Sequence, residues 1–255
     1  MLLAVDVGNT HTTLGVFRGE ALVHSWRIVT EPSRTADEYG LLITSLMEHA
    51  GLDPRGLRGV AICSVVPPVT PTLERMCQEY FGLEPLTVGP GVKTGLVIRY
   101  DNPREVGADR VVLALAAYTR YGGPTIVVDF SYTATIFDYI SRAGEYLGGV
   151  IAPGVSTAAD ALFQHAAKLP RIELARPRSV LGRNTVACMQ AGIVFGFAGL
   201  VDAIVARLEE ENGPATVVAT GENADLIAPE CRRVGHVDPC LTLDGLRLIY
   251  ERNRG

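Results

Sequence analysis

Apolar positions along this chain fall into two patterns: short continuous runs closed by glycine, proline or an acid, and longer stretches repeating at helical spacing. Leu2 to Val5 is a continuous run, Gly8-Asn9 supplies a turn, and Leu14 to Phe17 resumes the apolar character, which predicts strand, turn, strand. A third strand is expected over Leu22 to Ile28. Thr35 with Glu38 forms a capping-box pattern, and Tyr39, Leu42, Ile43 and Leu46 follow at helical spacing. Val60 to Val66 reads as a buried strand closed by Pro67-Pro68, Pro71 to Tyr80 as a helix, Leu86 to Val88 as extended chain, and Gly107 to Tyr118 as a helix.

Tyr121-Gly122-Gly123-Pro124 breaks the pattern, and then the order begins again. Strands are expected at Thr125 to Val128, Ile136 to Ile140 and Tyr146 to Ile151, helices at Thr157 to Ala167 and Val186 to Glu211, a strand at Thr216 to Ala219 and a helix at Leu243 to Glu251. The expected division is an N-terminal lobe over 1–121 and a C-terminal lobe over 122–255. Small residues crowd the long helix (Ala187, Ala191, Gly192, Gly196, Ala198, Gly199), which predicts close approach of another backbone.

The restart extends to chemistry. Leu3 to Phe17 and Ile126 to Ile140 share an aspartate after an apolar strand (Asp6, Asp129), a short turn, threonines at offsets four and six (Thr10 and Thr12; Thr133 and Thr135), and a second apolar strand. Turn N–H groups and threonine hydroxyls suit an anion, and a strand-end carboxylate suits a cation. Either segment alone also reads as an ordinary hairpin with a solvated acid; the matched pair favours two hairpins gripping one nucleotide. Gly89 to Thr94 lacks Walker spacing, and no G-x-G-x-x-G follows a strand.

Composition narrows the partners. The chain is long enough, at 255 residues and 47% hydrophobic, for two lobes with real cores. A net charge of -5 argues against nucleic acid and anionic membranes. No signal peptide is read at the N-terminus, and no later run is expected to reach the roughly 18 apolar residues of a membrane span. Five scattered cysteines, an odd number, suit a reducing cytoplasm. Cys231, His236 and Cys240 lack the paired spacing of a zinc site.

Asp6 to Thr10, Trp26-Arg27, Arg34 to Glu38, Ser64 to Pro67, Asp101 to Arg110, Gly148 to Gly154, Lys168 to Pro170 and Asn184-Thr185 together resemble the type III pantothenate kinases, nearly end to end. The resemblance implies an α/β fold of two ribonuclease-H-like, actin-like ATPase lobes in tandem with a central cleft. It also implies a homodimer, pantothenate as substrate, and ATP with Mg²⁺ plus a monovalent cation, K⁺ or NH₄⁺. On the family pattern Asp6, Val7, Gly8, Asn9, Thr10, His11, Thr12 and Thr13 bind ATP, with Asp6 near Mg²⁺, and Thr133 touches the phosphates. Tyr100, Gly107, Ala108, Asp109, Arg110 and Thr185 meet pantothenate, Asp109 acts as base, and Asp129 holds the monovalent cation. A first-turn position also favours an ionised Asp109 on helix-dipole grounds.

Two departures stand out. The family's second hairpin reads Asp-Phe-Gly-Thr-Ala-Thr-Thr-Phe-Asp, whereas Ser131-Tyr132 stands here for the single glycine, and Glu222 follows Gly221 where a second glycine is expected. Both predict weakened nucleotide binding. They admit a second reading, a weakly active or inactive homologue that senses pantothenate or regulates, beside the kinase reading.

Overall fold

The computed structural model describes Met1–Arg254. Two compact units divide these residues: one comprises Met1–Gly95, Asn102–Ala116 and the C-terminal residues from Thr242, the other Leu96–Asp101 and Ala117–Leu241.

The first unit holds a five-stranded sheet. Its chain order is β1 (Leu2–Val7), β2 (His11–Arg18), β3 (Ala21–Val29), α1 (Ala36–His49), β4 (Gly59–Ser64), α2 (Thr70–Met76) and β5 (Leu86–Thr87). Strand order is β3-β2-β1-β4-β5; the β1 to β3 meander is antiparallel, while β4 and β5 run parallel to β1. β1 and β4 are buried almost throughout because they lie inside the sheet, which is why their sequences are continuous apolar runs. The capping box at Thr35 and Glu38 forms as expected and starts α1, which turns Ala36, Tyr39, Ile43 and Met47 into the core.

In the second unit β6 (Val97–Ile98) precedes α3 (Ala108–Tyr121), whose first turns belong to the other unit. Then come β7 (Thr125–Phe130), β8 (Ala134–Ile140), β9 (Glu145–Pro153), α4 (Val155–His165), α5 (Thr185–Asn212), β10 (Thr216–Thr220), α6 (Ala224–Ile227) and β11 (His236–Val237). The sheet runs β11-β10-β7-β8-β9-β6. β7, β8 and β9 form an antiparallel meander and β10 and β11 run parallel to β7. The first sheet's topology is therefore repeated, with β6 added. Sequence reading missed β6 because two residues carry no periodicity; it is held by pairing with β9. α7 (Leu241–Asn253) closes the chain by returning to the first unit, where Gly245 lies so close to Val112 of α3 that a Cβ would come within 2.3 Å of its carbonyl oxygen.

α5 overturns one expectation and limits another. It is long and apolar enough to cross a membrane by length and composition. Its Ile193, Val194, Phe197, Val201 and Val205 are core residues of the second unit, so the apolar length serves packing against β7 and β10. A Cβ at Gly192, Gly196 or Gly199 would meet nothing within 4 Å, whereas one at Gly182 would stand 2.5 Å from the Cys188 nitrogen and 2.8 Å from the Ala187 carbonyl carbon, so the close approach that the small residues predict is made at the start of the helix and not at its glycines.

Candidate active site

In the first unit the β1–β2 turn carries the acid-tipped hairpin. Asp6 pairs with Thr13 and Val7 with Thr12, and the Gly8 N–H donates to the His11 carbonyl at 3.0 Å to close a four-residue turn. Thr30, just past β3, braces it: its hydroxyl donates to the Gly8 carbonyl at 2.8 Å and its N–H to the Thr10 carbonyl at 2.9 Å. Thr12 is fully buried, its hydroxyl 2.8 Å from that of Thr30, and Val7 is buried too. Both therefore support the turn from within, which leaves Asn9 exposed and Asp6, Thr10, His11 and Thr13 partly exposed. Nothing in the sequence marks Thr30 for this work, because the contact spans 22 residues of chain.

Asn102 opens the approach to α3 by accepting the Arg104 N–H. Gly107 is required next: the Asp109 carboxylate folds back over it, and a Cβ there would stand 2.3 Å from Asp109 Oδ1. The carboxylate accepts backbone N–H groups of Asp109 and Arg110, and the Arg110 guanidinium also favours its charge, yet burial outweighs these and holds its pKa above the usual aspartate value. The net effect is opposite to the helix-dipole expectation and makes Asp109 a stronger base. Arg110 is almost fully buried. If Asp109 serves as a base, the acid limb of kcat/KM is expected above the ordinary aspartate value; a profile flat down to pH 4 or so would contradict that role.

Cys63 ties hairpin and helix together. It pairs in register with Asp6, and its buried thiol is pushed well up, first by desolvation and then by the charges of Asp6 and Asp109. The acid of β1 and the acid of α3 thus converge at one end of the first sheet.

The second unit repeats the hairpin. Asp129 pairs with Ile136 and Phe130 with Thr135, so the turn from Ser131 to Ala134 has the same length and register as its twin, with Ser131-Tyr132 in the places of Gly8-Asn9. Thr135, like Thr12, is buried; its hydroxyl donates to the Pro153 carbonyl at 3.1 Å, leaving Thr133 exposed. The Ser131 hydroxyl donates to Asp129 Oδ2 at 2.5 Å, and the Tyr132 hydroxyl donates to Asp160 on α4. Gly221, at φ 91°, packs so tightly that a Cβ would lie 2.5 Å from Asp129 Oδ1. Glu222 follows it, and its charge helps push the Tyr132 hydroxyl's pKa up, behind the larger effects of Asp160 and burial. The two sequence departures therefore meet in one neighbourhood beside Asp129.

Tyr100 belongs to the second unit, its ring 6.4 Å from that of Tyr146 and against Gly148. Thr185 is exposed at the first position of α5, next to the cap Asn184, which accepts the Ala187 N–H at 2.8 Å. A cavity of about 540 Å³ at this end of the helix is lined by Arg176, Arg178, Ser179, Arg183, Asn184 and Gln190. His236 stacks near Tyr121, with centroids 4.9 Å apart.

Comparison with known proteins places this geometry. The type III pantothenate kinase family model matches residues 2–207. Type III pantothenate kinase 2 of Symbiobacterium thermophilum is 61% identical, covering 100% of this chain and 97% of that protein. The type III pantothenate kinase of Moorella thermoacetica is 57% identical over 99% of this chain and 100% of its own length. The crystal structure of (R)-2-hydroxyglutaryl-CoA dehydratase component A from Acidaminococcus fermentans shares the fold, with a TM-score of 0.59 at 12% identity, covering 100% of this chain and 99% of that one. A doubled α/β lobe, paired acid-tipped hairpins and full-length relatives agree: the chain belongs to the type III pantothenate kinase family.

Proposed function

We propose that the chain transfers the terminal phosphoryl group of ATP to the primary hydroxyl of pantothenate, giving ADP and 4'-phosphopantothenate on the route to coenzyme A, with Asp109 as base. The observation that carries this reading is the convergence of Asp6 and Asp109 on Cys63. A phosphate-binding hairpin and a desolvated carboxylate at one sheet end are what an alcohol kinase needs. Transfer through a loose transition state depends on positioning and charge neutralisation, so a carboxylate base suffices.

In this reading the partly exposed face of Asp6 to Thr13 receives ATP phosphates, and Thr133 adds a hydroxyl from the second turn. Asp6 is a hard oxygen donor at a strand end, which fits Mg²⁺, a cation that keeps waters and phosphate oxygens as its other ligands. Asp129 with the Ser131 hydroxyl fits a monovalent cation, K⁺ or NH₄⁺, and such charge would offset phosphate repulsion. Gly107 to Arg110, Tyr100 and Thr185 contact pantothenate, with Arg110 suited to a carboxylate or phosphoryl oxygen. The proposed 1–121 and 122–255 lobes differ from the two compact units at 96–101, at 117–121 and from Thr242 onward; a homodimer and a cytoplasmic location complete the proposal, with neither nucleic acid nor membrane as partner.

The sensing alternative rested on a distorted second turn. That turn keeps the register of the first, which removes its main support. A coupled ADP-release assay at millimolar ATP with Mg²⁺ and K⁺ decides between them. ADP formation is expected only when pantothenate is added; pantothenate binding by calorimetry without ADP would hand the function to sensing.

A further inference from the structure

Tyr132 is the bulkiest side chain in either turn, and the segment after β9 engages it closely. Its hydroxyl donates to Asp160 Oδ2 and its carbonyl accepts the Thr157 hydroxyl at 3.0 Å, both partners on α4. The next carbonyl, Thr133, accepts the Gly154 N–H at 3.0 Å. Asp160 is itself steadied by Arg171, whose Nη2 lies 3.7 Å from Oδ1. The first turn shares the backbone part of this brace, the Thr30 N–H on the Thr10 carbonyl, but lacks a side-chain strap: Asn9, in the place of Tyr132, makes no side-chain hydrogen bond among the described residues.

A turn meant to admit phosphate suffers from a large free ring, which sweeps the space that the anion and the backbone N–H groups must share. Tying that ring down removes the difficulty and also stiffens the loop. We propose that Tyr132 and Asp160 are positioning residues for ATP: their hydrogen bond draws the ring onto α4 and holds the turn from Ser131 to Thr133 in its phosphate-receiving form. This rests on the reading of that turn as part of the ATP site. The bulk of Tyr132 then acts as a fastening, and the sequence departure that predicts weaker nucleotide binding is compensated by a partner 28 residues later.

The experiment compares the full-length protein with Tyr132→Phe, Asp160→Ala and the double variant, by steady-state kinetics and by calorimetric titration with ADP. Each single change is expected to raise KM for ATP and Kd for ADP by roughly tenfold, the loss of one bond to a charged acceptor. KM for pantothenate and kcat at saturating ATP should stay within about twofold, and the double variant should be no worse than either single, because one interaction is removed each time. Unchanged KM for ATP and Kd for ADP in both singles would overturn the proposal. So would a parallel loss in both KM values, kcat and Tm, which marks a general folding defect. Absence of pantothenate-dependent turnover in the wild type would defeat the kinase reading alone, since ADP titrations still report the strap.

Discussion

Asp109→Asn is expected to lower kcat by roughly 100- to 10,000-fold, the usual contribution of a general base, while leaving pantothenate binding near wild type. The asparagine keeps an oxygen able to accept the backbone N–H groups of Asp109 and Arg110, so the start of α3 should hold. Stability supplies an independent sign. A carboxyl whose folded pKa is raised disfavours the folded state once pH exceeds that pKa, so removing its charge relieves a desolvation cost at neutral pH. Tm of the variant at pH 7 should be equal or higher, and activity and stability should move in opposite directions. Retained turnover would move the base elsewhere.

Gly154→Ala carries the second large effect. Gly154 has an ordinary φ of -73°, so the constraint there is contact and not backbone conformation. A Cβ would lie 2.2 Å from the Tyr132 carbonyl oxygen, 2.7 Å from the Thr133 carbonyl carbon and 2.8 Å from the Ala134 nitrogen. All three atoms are backbone, so no side-chain rotation relieves the clash, and overpacking of this kind costs about 1–3 kcal/mol or more. The turn must move away from the β9–α4 junction and lose the Gly154 to Thr133 hydrogen bond. KM for ATP should rise by roughly tenfold or more with a lower Tm. An unaltered KM for ATP would show that the second turn takes no part in nucleotide binding.

Much of this molecule was legible in its sequence because its pattern is written twice. The central strands announce themselves as continuous apolar runs, and the hairpin repeat anticipated two sheets of the same topology. What escaped was set by distance along the chain. Thr12 and Thr135 looked like phosphate ligands by spacing, but burial gave their hydroxyls to Thr30 and Pro153. Asp109 looked dipole-stabilised, and desolvation outweighed the dipole. Ser131-Tyr132 looked like a swollen turn because the strap to Asp160 lies on another element. The length of α5 was read from its sequence, but its membrane-like apolar character was not, because small residues interrupt the larger apolar ones that the fold uses as core.

The return of α7 to the first unit bears on how the protein is made. Tyr250 donates to the Arg58 carbonyl at 3.2 Å, Asn253 donates to the Lys93 carbonyl at 3.0 Å, and Leu243 covers Gly15. The strands that begin the chain thus wait for its final helix, whereas the second unit has all its strands once Val237 has emerged from the ribosome. Domains ordinarily mature from the N-terminus forward during translation. Here the later-encoded unit is able to pair its strands first, and the nascent first sheet stays uncapped on the side of Gly15 until α7 has been made.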